Sequence, residues 1–278
     1  MIFASDLDRT LIYSERFLPG YIGKVEAVEQ GKYISFMTEK SVELITGLFT
    51  QLIFVPCTTR TIEQYRRIRF FNRQYIPKFA VVSNGGNIIV DGVVHEGYRN
   101  NIAQKLSDNC LAGSQLLKEF EELASGEWSG RLVSADGLFY YCIIDRAKAP
   151  LEQIDAFADW ALDQNWEVSL QGRKLYLVPR LVNKWSAVEK IKELTGEQVV
   201  FAAGDSLLDL SMIENANQAI YPAHGELYER FGKSLLNSRG QSVAATAVAG
   251  LAAAEQILLE AARFKEYGWN DKKAINNN

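Results

Sequence analysis

Short apolar runs that stop abruptly at polar residues constrain this chain more than any other feature. Met1-Ile-Phe-Ala-Ser5 runs into Asp6-Leu-Asp-Arg-Thr10, Leu52-Ile-Phe-Val-Pro-Cys57 into Thr58-Thr-Arg60, Phe79-Ala-Val-Val-Ser83 into Asn84-Gly-Gly86, and Val199-Val-Phe-Ala-Ala203 into Gly204-Asp205. Runs of this length and composition read as buried strands. Helical spacing separates them. Thr38 is a candidate N-cap for a helix carrying Val42, Ile45, Leu48 and Phe49, and a polar helix is expected from about Ile62. Asn183 can cap a helix that Thr195-Gly196 stops, and a helix over Leu208 to Asn215 leads to Ala219-Ile-Tyr221. An Ala-rich helix is expected from Val243 to Phe264, before an Asn-rich tail expected to be disordered. Strands alternating with helices predict an α/β fold: a Rossmann-like parallel sheet with helices on both faces.

The rhythm is interrupted by hairpins. Gln30-Gly31 separates Lys24–Glu29 from Lys32–Met37 as an early hairpin, and Asp91-Gly92, Asp136-Gly137 and Gln171-Gly172 mark three more. Helices are expected from Asn101 to Ala124 and from Pro150, the second placing Leu151, Ile154, Phe157 and Ala161 on one face. Helix-hairpin-helix-hairpin (αββαββ) implies an α+β unit whose antiparallel sheet carries two helices on one face. At ~150 residues per domain, 278 residues accommodate both architectures. The expectation is a discontinuous core, 1–86 and 181–278, with 87–180 inserted as a second domain.

Composition narrows the partners. Thirty basic residues against 34 acidic give a net charge of -4 with no basic run, which argues against nucleic acid. The longest uncharged stretch, Gly240 to Ala254, falls short of the ~18 apolar residues a membrane span needs. Asp6 and Asp8 stand where a signal peptide would be apolar, and Cys57, Cys110 and Cys142 form no metal-ligand spacing. A cytoplasmic protein with free thiols is expected.

In an open parallel sheet, ligands bind beyond the carboxyl ends of the strands. Asp6, Asp8, Thr58, Thr59, Asn84, Asp205 and Asp209 all follow core strands, and Lys184 opens a helix beside them. Carboxylates gathered at one edge call for a cation, and oxygen donors suit a hard ion such as Mg2+. With Lys184 and backbone N–H groups added, the site suits a phosphate ester. Single motifs are weak: Asp-x-Asp-x-Thr is often a solvated loop, Thr58 and Thr59 could cap a helix, and Lys184 could be a solvated helix residue. An EF-hand is excluded by Phe17 at the twelfth position, and a P-loop by Leu227 in place of its first Gly. His95 and His224 are isolated and read as structural. Joint placement is what carries the chemistry.

Asp6-Leu-Asp-Arg-Thr10, Thr58-Thr-Arg60, Lys184 and Gly204-Asp-Ser-Leu-Leu-Asp209 resemble the four ordered motifs of the haloacid dehalogenase-like (HAD) phosphohydrolases, over nearly the whole chain. The insertion resembles the C2-type cap of sucrose-phosphate, mannosylglycerate-phosphate and Cof-type phosphatases. The resemblance implies Asp6 as nucleophile, Asp8 as general acid/base, and Thr58 and Lys184 on the phosphoryl oxygens, with Thr59, Arg60 and Asn84 beside them. It implies Mg2+ on the Asp6 carboxylate, the Asp8 carbonyl and Asp205, supported by Asp209. Thr59, Leu208 and Trp185 depart from the family's usual Gly, Asn and Gly. The substrate implied is a small phosphorylated metabolite, sugar-like, read by the cap. Arg131, Arg173, Lys174 and Arg180 are candidates for a second anionic group, and at most one of Tyr140 and Tyr141 can face the cleft. A phosphomutase of related architecture and a catalytically silent phosphate-ligand-binding regulator are the alternatives.

Overall fold

The computed structural model describes residues 1–29 and 34–267. Strand β1 (Ile2–Ser5) is wholly buried. Strands β2 (Tyr13–Ser14), β3 (Val25–Ala27) and β4 (Ser35–Thr38) make a small antiparallel sheet in the order β2-β4-β3. The early hairpin is present as Val25↔Thr38 and Ala27↔Phe36 pairs, while its expected turn lies outside the described residues. Helix α1 (Glu39–Phe49) starts where the Thr38 side chain accepts from the Ser41 N–H, a cap worth about 1 kcal/mol. Strand β5 (Ile53–Pro56) lies parallel to β1. Helix α2 (Ile62–Arg66) begins with a Thr61–Gln64 capping box. Strand β6 (Phe79–Val82) adjoins the end of β5 through a parallel bridge, Cys57↔Val81.

Strands β7 (Asn87–Val90) and β8 (Val93–Val94) continue antiparallel from β6. Asp91 and Gly92 both take positive φ (49° and 81°), the two-residue hairpin turn that Asp-Gly favours. The helix expected over 101–124 is two helices, α3 (Glu96–Asn109) and α4 (Gly113–Leu123). The break at Cys110–Ala112 has a tertiary cause. Leu111 donates its N–H to the Gln164 carbonyl (3.2 Å), and its own carbonyl accepts from Trp166 Nε1 (2.9 Å). These bonds replace the helical ones. His95 is structural, as expected: its Nδ1 accepts from the Tyr98 N–H at the start of α3.

Strands β9 (Val133–Ala135) and β10 (Phe139–Ile143), helix α5 (Leu151–Asp163), and strands β11 (Trp166–Gln171) and β12 (Lys174–Pro179) complete the inserted unit. Its antiparallel sheet has the order β11-β12-β10-β9. Cys142, Leu175 and Leu177 on one face pack against Leu116 and Phe120 of α4 and Ile154 and Phe157 of α5. Alternation turns Tyr141 and Tyr176 to the opposite face, where they join the core of the parallel domain.

Helix α6 (Lys184–Thr195) is capped by Asn183 and ended by Gly196 at φ 76°, both as expected. Strand β13 (Val200–Ala203), helix α7 (Leu210–Asn215), strand β14 (Gln218–Tyr221), helix α8 (Glu226–Phe231), strand β15 (Ala244–Ala245) and helix α9 (Leu251–Tyr267) follow. Gly232 ends α8. The terminal helix begins eight residues later than the Ala-rich composition suggests. Ala244 and Ala245 instead pair with Ile220 and Tyr221 as an edge strand, and Thr246 donates its N–H to the Tyr221 carbonyl.

The main sheet is parallel throughout, in the order β15-β14-β13-β1-β5. Ile2, Ala4, Val55, Val200 and Ala202 face Ala187, Val188 and Ile191 of α6 and Met212 of α7. Phe3, Phe54 and Phe201 face Ile45 and Leu48 of α1 and Ile257 and Leu258 of α9. Burial on both faces fixes the register, so the residues after each strand have a set position at one edge.

Candidate active site

Lys184, the first residue of α6, is the hub of that edge. Its side chain is fully buried, with Nζ 2.6 Å from Asp6 Oδ1 and 2.5 Å from Asp209 Oδ1. Burial works against its charge, yet Asp209 and Asp6 together raise its pKa above the ordinary lysine value. Both Asp209 oxygens are engaged: Oδ1 accepts from Lys184, and Oδ2 accepts from the N–H groups of Asp205 and Ser206 and from Ser206 Oγ. It therefore supports the loop and Lys184. Gly204 makes this possible, because a Cβ there would lie 2.4 Å from the Asp209 Cβ. Gly225 has the same role opposite, where a Cβ would meet the Asp205 carbonyl at 2.4 Å.

Asp6, Asp205 and Asp209, all buried, each offer a carboxylate oxygen within 4.8 Å of the others. Burial, opposed by Lys184 and aided by Asp209 and Asp8, pushes Asp6 up to about 7. Asp205 is also raised, by burial first and then by the Asp6 charge. Two buried, all-oxygen carboxylates held short of ionisation suit a hard divalent cation, which would let both ionise. The donor set fits a metal.

Asp8 faces the cleft half-exposed, and Arg60 grips it with both forks: Nε to Oδ2 at 2.7 Å and Nη2 to Oδ1 at 2.8 Å. Burial alone would raise the Asp8 pKa, but Arg60 more than offsets it and the pKa is lowered. The far side of the same guanidinium donates to buried Glu29 (2.8 Å) and to Ser35 Oγ (3.2 Å), which flank the β3–β4 pair. Arg60, expected beside the phosphate, is thus engaged with two carboxylates.

Thr58 is buried at the end of β5, with Oγ1 accepting from the Arg60 N–H (3.1 Å). It is not a helix cap; Thr61 has that role. Asn84 Nδ2 donates to the Val182 carbonyl (2.9 Å), fixing the turn before α6, with its backbone left-handed at φ 55°. Thr59 faces the inserted unit, where the Tyr176 hydroxyl interacts with it and with Lys174. Leu208, where the resemblance leads one to expect Asn, is buried in the core.

The inserted unit closes on this edge. Asp136, in its hairpin turn, accepts from the Ile62 N–H (2.9 Å) and from Ser83 Oγ (2.5 Å). Tyr141 faces the cleft, in reach of Gln64, while Tyr140 stacks on Trp166. Lys174 Nζ lies 5.3 Å from the Tyr141 ring and is drawn by Asp8. Arg173 instead lines a surface cavity with Trp128 and Arg146. Sequence reasoning missed Arg9, Glu29, Asp136 and Tyr176. Only Arg9, inside the Asp-x-Asp-x-Thr motif, stood where a signal existed.

This architecture defines a class: a parallel α/β core whose strand ends gather aspartates and a lysine, with a separate antiparallel α+β unit, is the HAD fold. Among solved structures, the sucrose-phosphatase of Synechocystis sp. PCC6803, determined with sucrose and phosphate, is similar at TM-score 0.68 and 15% identity, covering 96% of this chain and 98% of that one. A trehalose-6-phosphate phosphatase related protein is similar at 0.54 and 17% (98% and 100% covered), and a HAD subclass IIB sugar phosphatase at 0.56 and 13% (96% and 98% covered). No protein-family profile and no curated protein matches the sequence.

Proposed function

We propose that the protein is a Mg2+-dependent phosphomonoesterase acting on a small, sugar-like phosphate through an aspartyl-phosphate. The observation that carries this reading is the Asp6–Lys184–Asp209 bridge beside Asp205 at the strand ends. Similarity to sugar phosphatases supports it. Residues 87–180 act as the cap.

Lys184 orients the Asp6 carboxylate by holding Oδ1, leaving Oδ2 to attack phosphorus in line. The P–O bond to the alcohol breaks as the Asp6–phosphorus bond forms, and Asp8 gives its proton to the departing alkoxide. Asp8, again a carboxylate, takes a proton from the water that attacks the aspartyl-phosphate, releasing inorganic phosphate and restoring Asp6. Thr58 and Lys184 donate to the phosphoryl oxygens as charge develops there. Asp6, Asp205 and the Asp8 carbonyl would hold Mg2+, which when bound adds positive charge against the phosphoryl oxygens. The Arg60 grip favours the ionised Asp8 needed for the water step, so donation to the alcohol requires that grip to loosen. Tyr141, Tyr176 and Lys174 face the leaving group from the cap, which excludes water when closed.

The test is a panel of sugar phosphates assayed for inorganic phosphate with Mg2+ and with a chelator. Hydrolysis that needs the metal and vanishes in Asp6→Asn is the expected result. Hydrolysis retained in Asp6→Asn would overturn the mechanism.

A further inference from the structure

The mechanism above leaves one buried-edge cation unused. Arg9 lies inside the nucleophile loop with φ 67°, in the left-handed region that favours glycine, and it is held there. Its N–H donates to the Ile12 carbonyl (2.8 Å). His224 holds it twice more: the His224 carbonyl accepts from Arg9 Nη2 (2.9 Å), and the His224 ring Nε2 contacts the Arg9 carbonyl (3.0 Å). The Gly250 N–H donates to Nδ1 of that ring (3.0 Å), so Nε2 carries the proton and donates. So tethered, the guanidinium places Nε 3.4 Å from Asp205 Oδ2, and that Nε is buried with no hydrogen-bond partner.

The charges at the edge fall into pairs. Lys184 serves Asp6 and Asp209, Arg60 serves Asp8 and Glu29, and Arg9 stands at Asp205. We propose that Arg9 is a tethered cation sharing the divalent-cation site: it stands against Asp205 in the metal-free protein and weakens Mg2+ binding there. This rests on the reading of the Asp6–Asp205 cluster as a cation site. A guanidinium that stays repels the incoming ion, and one that moves must first give up Asp205, so either way affinity falls.

Calorimetric titration of Mg2+ into the wild-type protein, Arg9→Gly and Arg9→Asn tests this without any substrate. Both variants suit a left-handed backbone, so they are expected to fold, and thermal unfolding in chelator checks it. The expected result is Mg2+ binding at least fivefold tighter in both variants. Affinity within twofold of wild type, or weaker, overturns the proposal; the weaker result makes Arg9 a support for Asp205. No Mg2+ binding in any of the three overturns the cation-site reading and the proposal with it, whereas equal binding in all three overturns the proposal alone.

Discussion

Lys184 Nζ and Asp209 Oδ1 are 2.5 Å apart with both side chains fully excluded from solvent, and the same ammonium holds Asp6 at 2.6 Å. Removing the ammonium strands two carboxylates in a buried site. Lys184→Met is therefore expected to lose phosphatase activity and also to cost roughly 3–5 kcal/mol of stability, the usual penalty for breaking a buried charge pair. Urea unfolding checks the second effect. A variant that loses activity with an unchanged midpoint would mean that Lys184 is not a structural hub.

Stability in the absence of metal is expected to fall as pH rises. The folded-state pKa of Asp6 is raised from 3.8 to about 7, so between those values the native state binds more protons than the unfolded chain. Asp205 acts in the same direction. In chelator, the urea midpoint should decline from pH 4.5 toward pH 7, and Mg2+ at pH 7.5 should restore it. Asp6→Asn should flatten part of the slope. A midpoint rising over that window would contradict the electrostatics of the site.

These aspartates were legible in the sequence because each follows an apolar strand, and a parallel sheet buried on both faces delivers strand ends to one edge. Lys184 was legible because Asn183 reads as a cap. The charged groups around them were harder to see. Arg9 and Glu29 reach the site through loop conformations that no periodicity encodes, and nothing local pairs Arg60 with Asp8 and Glu29. Asn84 followed a strand as the aspartates do, but a left-handed backbone turns its amide to Val182. The misjudged helix limits, at 110–112 and 243–250, lie where backbone groups bond across the fold instead of along the chain. Local propensity carries no record of such bonds.

Arg60 is expected to set the acid limb of the pH–rate profile. It lowers the Asp8 pKa against the effect of burial. Arg60→Gln should therefore move the acid limb of kcat, which includes the water step that needs ionised Asp8, upward by about one pH unit, the lower end of what a neighbouring guanidinium contributes. Turnover should fall as well, because the carboxylate loses its orientation. The profile measured from pH 3 to 9 with saturating Mg2+ and substrate checks this. An unmoved acid limb would show that Asp8 is not the group titrating there.

Lys174 is expected to read the leaving group. Of the four cap cations considered from sequence, it is the one drawn electrostatically to Asp8, and it lies against the Tyr141 and Tyr176 rings on the sheet face turned to the core. Arg173 is adjacent in sequence but sits in the hairpin turn before β12 and lines a different cavity. An ammonium open to the cleft adds little for an ester whose alcohol is neutral and more for one carrying a second negative charge. Lys174→Met should lower kcat/KM for 6-phosphogluconate about tenfold, equivalent to about 1.4 kcal/mol, and change glucose 6-phosphate less than threefold. Arg173→Met is the matched control and should leave the ratio of the two unchanged. An equal loss on both esters would make Lys174 a partner of Asp8 instead of a reader of substrate.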